Sequence, residues 1–109
     1  HTIHGPIVCV PYSNDINDFN LFARGGMPAP AGLETLKTCF DQLYSEGAAT
    51  GRIMNVGLHP HVMGHPHRIG ALREFVDYAQ ARARVWFPSR EEIARWYMTV
   101  HETHISSDK

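Results

Sequence analysis

The sequence predicts an α/β fold of three consecutive βα units, parallel strands with flanking helices, and three observations carry that expectation. Short apolar runs alternate with amphipathic stretches in the order β-loop-α-β-loop-α-β-α, the pattern of a parallel sheet with right-handed crossovers. The apolar runs are continuous rather than alternating, as strands covered on both faces require. The two unusual loops both follow predicted strands, the side on which such sheets bind ligands.

In chain order, Ile7-Val8-Cys9-Val10, closed by Pro11, reads as a first strand buried on both faces. Tyr12 to Pro30 has no sustained periodicity and is rich in Asn, Asp, Gly and Pro, a long loop of the kind usually kept for function. Leu33, Leu36, Phe40, Leu43 and Tyr44 recur at helical spacing and set a helix from about Gly32 to Glu46, which Gly47 is placed to end. Arg52 to Leu58 reads as the second strand and His59 to His67 as the loop after it. Ile69, Leu72, Phe75, Val76 and Ala79 mark the apolar face of a second helix, Ile69 to Arg82. Val85-Trp86-Phe87 is a third, very short strand. Ser89 and Glu92 form a capping-box pattern opening a third helix, whose stripe is Ile93, Trp96, Tyr97 and Val100. The polar tail beyond His101 is expected to fray, with 102–109 flexible.

Three parallel strands leave two open sheet edges. The expected remedy is the N-terminal part of a larger sheet, another chain, or self-association into a homo-oligomer. The start agrees: the sequence opens on His1, without a charged-then-apolar leader, and reaches a buried-looking strand by Ile7. The N-terminus is therefore expected to be a cut, and residues 1–109 the later part of one domain.

Composition narrows the class. The chain has 109 residues, 43% hydrophobic and 19% charged, an ordinary globular balance. Ten Lys and Arg face eleven Asp and Glu, so no basic excess points to nucleic acid or to an anionic membrane surface. No apolar run is long enough to span a bilayer. Cys9 and Cys39 lack any framework spacing and are expected to be buried, reduced thiols, which fits a cytoplasmic setting.

Candidate chemistry gathers in the two loops. Asp15 and Asp18, flanked by Asn14 and Asn17, have the residue types to act on protons or a cation, or simply to hold turns through their own backbone. His59, His61, His65 and His67 crowd the second loop, where imidazoles can bind zinc or serve as a general acid near neutral pH. The spacing matches no Cys/His zinc-finger pattern, so single functional histidines and solvated ones remain alternatives. Arg68 sits near the start of the second helix, against the helix dipole. Its expected partner is Asp15, Asp18 or an anionic part of a substrate, unless it bends into water.

Taken together, Asn55-Val56-Gly57-Leu58-His59-Pro60-His61, then Gly64-His65-Pro66-His67-Arg68-Ile69 and Ala71-Leu72, are more specific. They resemble the C-terminal signature of the polysaccharide deacetylase (NodB-homology) family. The nearest branch holds metal-independent allantoinases and peptidoglycan-deacetylase-like proteins. Pro11-Tyr12-Ser13 with Asn17-Asp18, Phe40 through Gly47, and Val85-Trp86-Phe87-Pro88 through Trp96-Tyr97 resemble the same branch, so the likeness runs from Ile7 to Tyr97 in order.

The resemblance implies the C-terminal three βα units of a distorted (β/α) barrel that hydrolyses an amide C–N bond, in an N-acetyl sugar or a cyclic ureide. The family's last active-site motif, a strand ending in Leu-His, falls on Leu58-His59. It makes His59 the catalytic acid that protonates the leaving nitrogen, with Leu58 lining the pocket. Tyr12, Asp15, Asp18 and Arg68 are expected as further pocket residues, without assigned roles. The family's paired aspartates and His-x-x-x-His-type ligands belong to earlier strands; this sequence has no Asp-Asp pair, and His1 and His4 match neither motif. Zinc or another divalent metal, where the parent protein uses one, would be held by that earlier part, and no metal ligand is assigned here. The chain alone is accordingly expected to turn over little substrate. The alternative reading is a non-catalytic α/β module that binds a metal or small ligand through its histidine loop.

Overall fold

The structure, a computed structural model, describes residues 2–104. His1 and most of the expected flexible tail, 105–109, lie outside the described residues. Two compact units are present, one of residues 11–85, the other of residues 2–10 and 86–104.

In the unit 11–85, prolines open every α-helix. Helix α1 (Ala29–Glu46) follows Pro28, whose ψ of 152° is extended, and carries Pro30 in its first turn. Helix α2 (Pro60–Met63) and helix α3 (Pro66–Gln80) begin in the same way after the extended His59 and His65. A proline is tolerated there because the first N–H groups of a helix have no partner inside it, and its fixed φ is already helical. Both long helices therefore start three residues earlier than expected from their apolar stripes. Gly47 ends α1 with φ −63°, its N–H on the Leu43 carbonyl, and needs no left-handed turn.

The stripes meet as periodicity requires. Leu33, Leu36 and Phe40 of α1 pack with Phe75 and Ala79 of α3 and with Ile16 in the main core. Phe40 and Phe75 meet edge to face at 6.2 Å, an arrangement the ring quadrupoles favour. Tyr44 and Val76, expected on these faces, lie at the core margin and are half-exposed.

Two short elements replace what the sequence predicts as loop. Phe19–Arg24 forms a π-helical turn that buries Phe22, and α2 buries Val62 and Met63 against it in a second cluster. Neither is long enough for periodicity to show in sequence. Gly32 of α1 is required beside them, since a Cβ there would overlap the Phe22 ring.

None of the three expected strands forms a ladder among the described residues. One parallel rung, Asn17 to Gly57, is made: the Asp18 N–H donates to the Gly57 carbonyl at 2.9 Å and the Gly57 N–H to the Ile16 carbonyl at 3.2 Å. The run from Arg52 to Val56 makes no backbone pairing among the described residues, yet Met54 and Val56 still pack on the main core. A parallel strand depends on neighbours along its edges. Apolar pattern alone can direct a segment inward without supplying those neighbours.

The other unit departs further from expectation. Ile7 is 68% exposed and Cys9 is exposed too, so this run is no strand buried on both faces. Trp86 and Phe87 are likewise more than half exposed, while Val85, across the unit boundary, packs on the main core. Helix α4 (Arg90–Val100) has the expected capping box: Ser89 Oγ accepts the Glu92 N–H, and Glu92 Oε2 accepts the Ser89 N–H at 2.6 Å. Its stripe is only partly covered: Ile93 and Val100 are partly buried, while Trp96 is about half exposed and meets Trp86 edge to face at 6.3 Å. A 3₁₀ turn, His101–His104, extends the helix at the head of the tail expected to fray. Both cysteines are free, and only Cys39 is partly buried, where burial and the Asp15 charge push its thiol pKa up. No helix among the described residues is long and apolar enough to cross a membrane.

Candidate functional site

The single rung between Asn17 and Gly57 sets two distant segments side by side, and the candidate site lies just past it on both. Asp18 follows Asn17 and is 1% exposed; Leu58 and His59 follow Gly57. Asp18 uses both carboxylate oxygens on His59. Oδ2 accepts the His59 backbone N–H at 2.6 Å, and Oδ1 lies 2.6 Å from the imidazole Nδ1. A carboxylate accepting both places the ring proton on Nδ1 and leaves Nε2 as the nitrogen open to a ligand. Burial of an aspartate this complete requires such pairing.

Local structure holds His59 from its other side. It is the extended residue before α2, with φ −123° and ψ 124°, and its carbonyl accepts the N–H groups of Val62 and Met63 at 2.9 Å. The side chain is 40% exposed, enough for a reactant to reach it. Phe19, itself partly exposed, lies with its ring 6.1 Å from the imidazole, and the His61 ring stands edge-on at 5.6 Å.

The remaining predicted residues divide. Leu58 is half-exposed beside His59 in sequence. Tyr12 reaches the rung: its hydroxyl accepts a hydrogen bond from Asn17 Nδ2 at 2.6 Å. Asp15 goes elsewhere, into a shallow open recess against α1 with Glu34, Thr35, Thr38 and Cys39. Arg68 pairs with neither aspartate, contrary to expectation. Its Nη1 donates to the Val62 carbonyl at 3.0 Å, and its guanidinium lies 5.8 Å from the Phe22 ring centre. The physical reason is local, since Val62 lies in the last turn of the short α2 and its carbonyl has no partner further along that helix. The cation meets the negative end of one helix rather than a carboxylate.

His59 with His61, and His65 with His67, associate as ring pairs, and His65 Nε2 is 3.0 Å from the His61 carbonyl. Among the described residues no three His, Cys, Asp or Glu side chains converge.

Asn17, Phe19 and Gly57 went unassigned in the sequence. Asn17 is buried at 6% exposure and satisfied at both ends, with Oδ1 accepting the Phe19 N–H at 2.9 Å. A Cβ at Gly57 would overlap the Asn17 amide and come 2.9 Å from the Tyr12 hydroxyl. The available signal was the Asn-Asp doublet beside an aromatic residue, but nothing in sequence ties it to a glycine so far along the chain. What the arrangement can do is move a proton at His59 Nε2 with the ring held in one orientation.

Comparison with known proteins agrees on one family. No family model matches the chain. A Schizosaccharomyces pombe protein provisionally named a polysaccharide deacetylase is 29% identical over 97 residues, 87% of this chain and 30% of its own length. A crystal structure from Pseudomonas aeruginosa PAO1, likewise provisionally named a polysaccharide deacetylase, superposes with a TM-score of 0.77 at 38% identity. That match covers 84% of this chain and 31% of the other. The chain thus spans about a third of each relative. In sequence and in fold the chain is similar to about a third of each of these two polysaccharide deacetylases.

Proposed function

We propose that this chain supplies the proton-donating side of an amidohydrolase site, with His59 as the general acid and Asp18 as the residue that positions it. The observation that carries the reading is the buried Asp18 carboxylate, which holds both the His59 backbone N–H and Nδ1. In amide hydrolysis, the oxygen of an activated water bonds to the carbonyl carbon and gives a tetrahedral intermediate. That intermediate collapses when the C–N bond breaks, and the leaving nitrogen needs a proton. In the doubly protonated imidazole the Nδ1 proton stays with Asp18, and the Nε2 proton is the one delivered. Tyr12, Leu58 and Phe19 are the side chains nearest to hand for the substrate's walls.

The names of the two relatives favour an N-acetylated glycan over a cyclic ureide as the substrate. Activation of the water is the step for which these residues provide no group. The chain on its own is therefore expected to be nearly inactive, and the missing half would come from the rest of the barrel or from another chain. No metal-dependent step is assigned to these side chains.

The test is turnover of an N-acetylated chitooligosaccharide by the chain joined to, or mixed with, the earlier part of the barrel. His59→Ala is expected to lower kcat by about 10²–10⁴-fold, the usual worth of a positioned acid. Unchanged kcat would remove His59 as the acid.

A further inference from the structure

Asp18 stands at the head of the π-helical turn Phe19–Arg24 with helical φ −60° and ψ −34°, and its side chain caps none of that turn's N–H groups. The duty falls to its neighbour, since Asn17 Oδ1 accepts the Phe19 N–H at 2.9 Å. The Asn17 amide is held in that orientation by its other end, whose Nδ2 donates to the Tyr12 hydroxyl. Room for the amide exists only because Gly57 lacks a Cβ.

We infer that Asn17 is a positioning residue for His59: by occupying the head of the Phe19–Arg24 turn it keeps the Asp18 carboxylate free to hold the imidazole. This rests on the reading of His59 as the acid. The two aspartate conformations compete. A short polar side chain beside free helix-start N–H groups readily bonds them, and a carboxylate so engaged cannot also reach His59. With Asn17 in place the nearest of those N–H groups is taken, and both Asp18 oxygens turn to the segment across the rung. Gly57 has a related role, since it admits the amide at the one point where the segments touch.

The test is the protonation pattern of His59 in the ¹⁵N-labelled chain, read from long-range ¹H–¹⁵N spectra of the imidazoles. Neutral His59 is expected as the Nδ1–H tautomer. Asn17→Ala is expected to shift it toward Nε2–H while the far-ultraviolet circular dichroism of the helices is retained. Asn17→Ser, whose hydroxyl can accept the Phe19 N–H, is expected to restore Nδ1–H. Should Asn17→Ala lose its helices, the decision passes to Tyr12→Phe, at an exposed residue. That variant frees the Asn17 amide and is expected to shift the tautomer in the same direction. In the turnover assay, Asn17→Ala is expected to lower kcat on the order of tenfold with KM unchanged. An undisturbed Nδ1–H tautomer in a folded Asn17→Ala chain overturns this role for Asn17. A His59→Ala variant with full kcat overturns the acid itself, so the two failures are distinguishable.

Discussion

At the scale of the residue, what sequence shows and what it hides divides by distance along the chain. His59 was singled out through the resemblance of Leu58-His59 to a family motif, a local feature. Its pairing was not legible, since Asp18 lies 41 residues earlier and the contact exists only once the rung has formed. Arg68 shows the converse. The helix dipole correctly marked it as a residue needing a partner, but a carbonyl at the end of the preceding helix lay nearer than either aspartate. Removing that hydrogen bond with Arg68→Met leaves the Val62 carbonyl unpaired and removes the contact with the Phe22 ring. The expected loss is about 1–2 kcal/mol in urea unfolding. An unchanged unfolding midpoint would show that water replaces the guanidinium without penalty.

At the scale of the element, helices were read better than strands because their evidence is contained within each segment. The faces of α1 and α3 were visible as spacing, and the capping box of α4 as two side chains three residues apart. The starts of α1 and α3 were missed because prolines were read as loop, although the first helical turn tolerates them. Strand identity was overstated, since a strand is a pairing and apolar runs carry no information about the partner.

The cap yields a pH prediction. The Ser89 backbone N–H and hydroxyl hold the Glu92 carboxyl below its usual range. A depressed carboxylate pKa means the stabilisation is complete above the ordinary glutamate value and is lost as pH falls through the lowered one. The Ser89 amide proton should therefore titrate with a midpoint below that of an unperturbed glutamate. A midpoint at the ordinary value would show that the cap is open in solution. Ser89→Ala removes the reciprocal bond and should cost α4 about 1 kcal/mol.

At the scale of the whole molecule, the likeness to known proteins was legible and the pairing of the extended runs was not. The order of motifs pointed to polysaccharide deacetylases, and the superposition on one of them at a TM-score of 0.77 agrees with that likeness. Yet the chain spans about a third of its relatives, and among the described residues its extended runs form no ladder. In the unit 11–85, Arg52 to Val56 make no backbone pairing among the described residues and Ile53 is exposed. In the other unit, Ile7, Trp86 and Phe87 are exposed. Each is the kind of surface that recruits another chain. Sedimentation equilibrium is expected to give an average mass that rises above the 12.3 kDa monomer with concentration. A monomer at every concentration would argue that these surfaces are tolerated in water.

The most direct test of the central claim, that Asp18 holds His59 with Nε2 turned to the reactant, is the imidazole tautomer itself. In ¹H–¹⁵N spectra of the unaltered chain, neutral His59 should carry its proton on Nδ1, and Asp18→Ala should abolish that preference. A His59 protonated on Nε2, or one indifferent to the loss of Asp18, would contradict it.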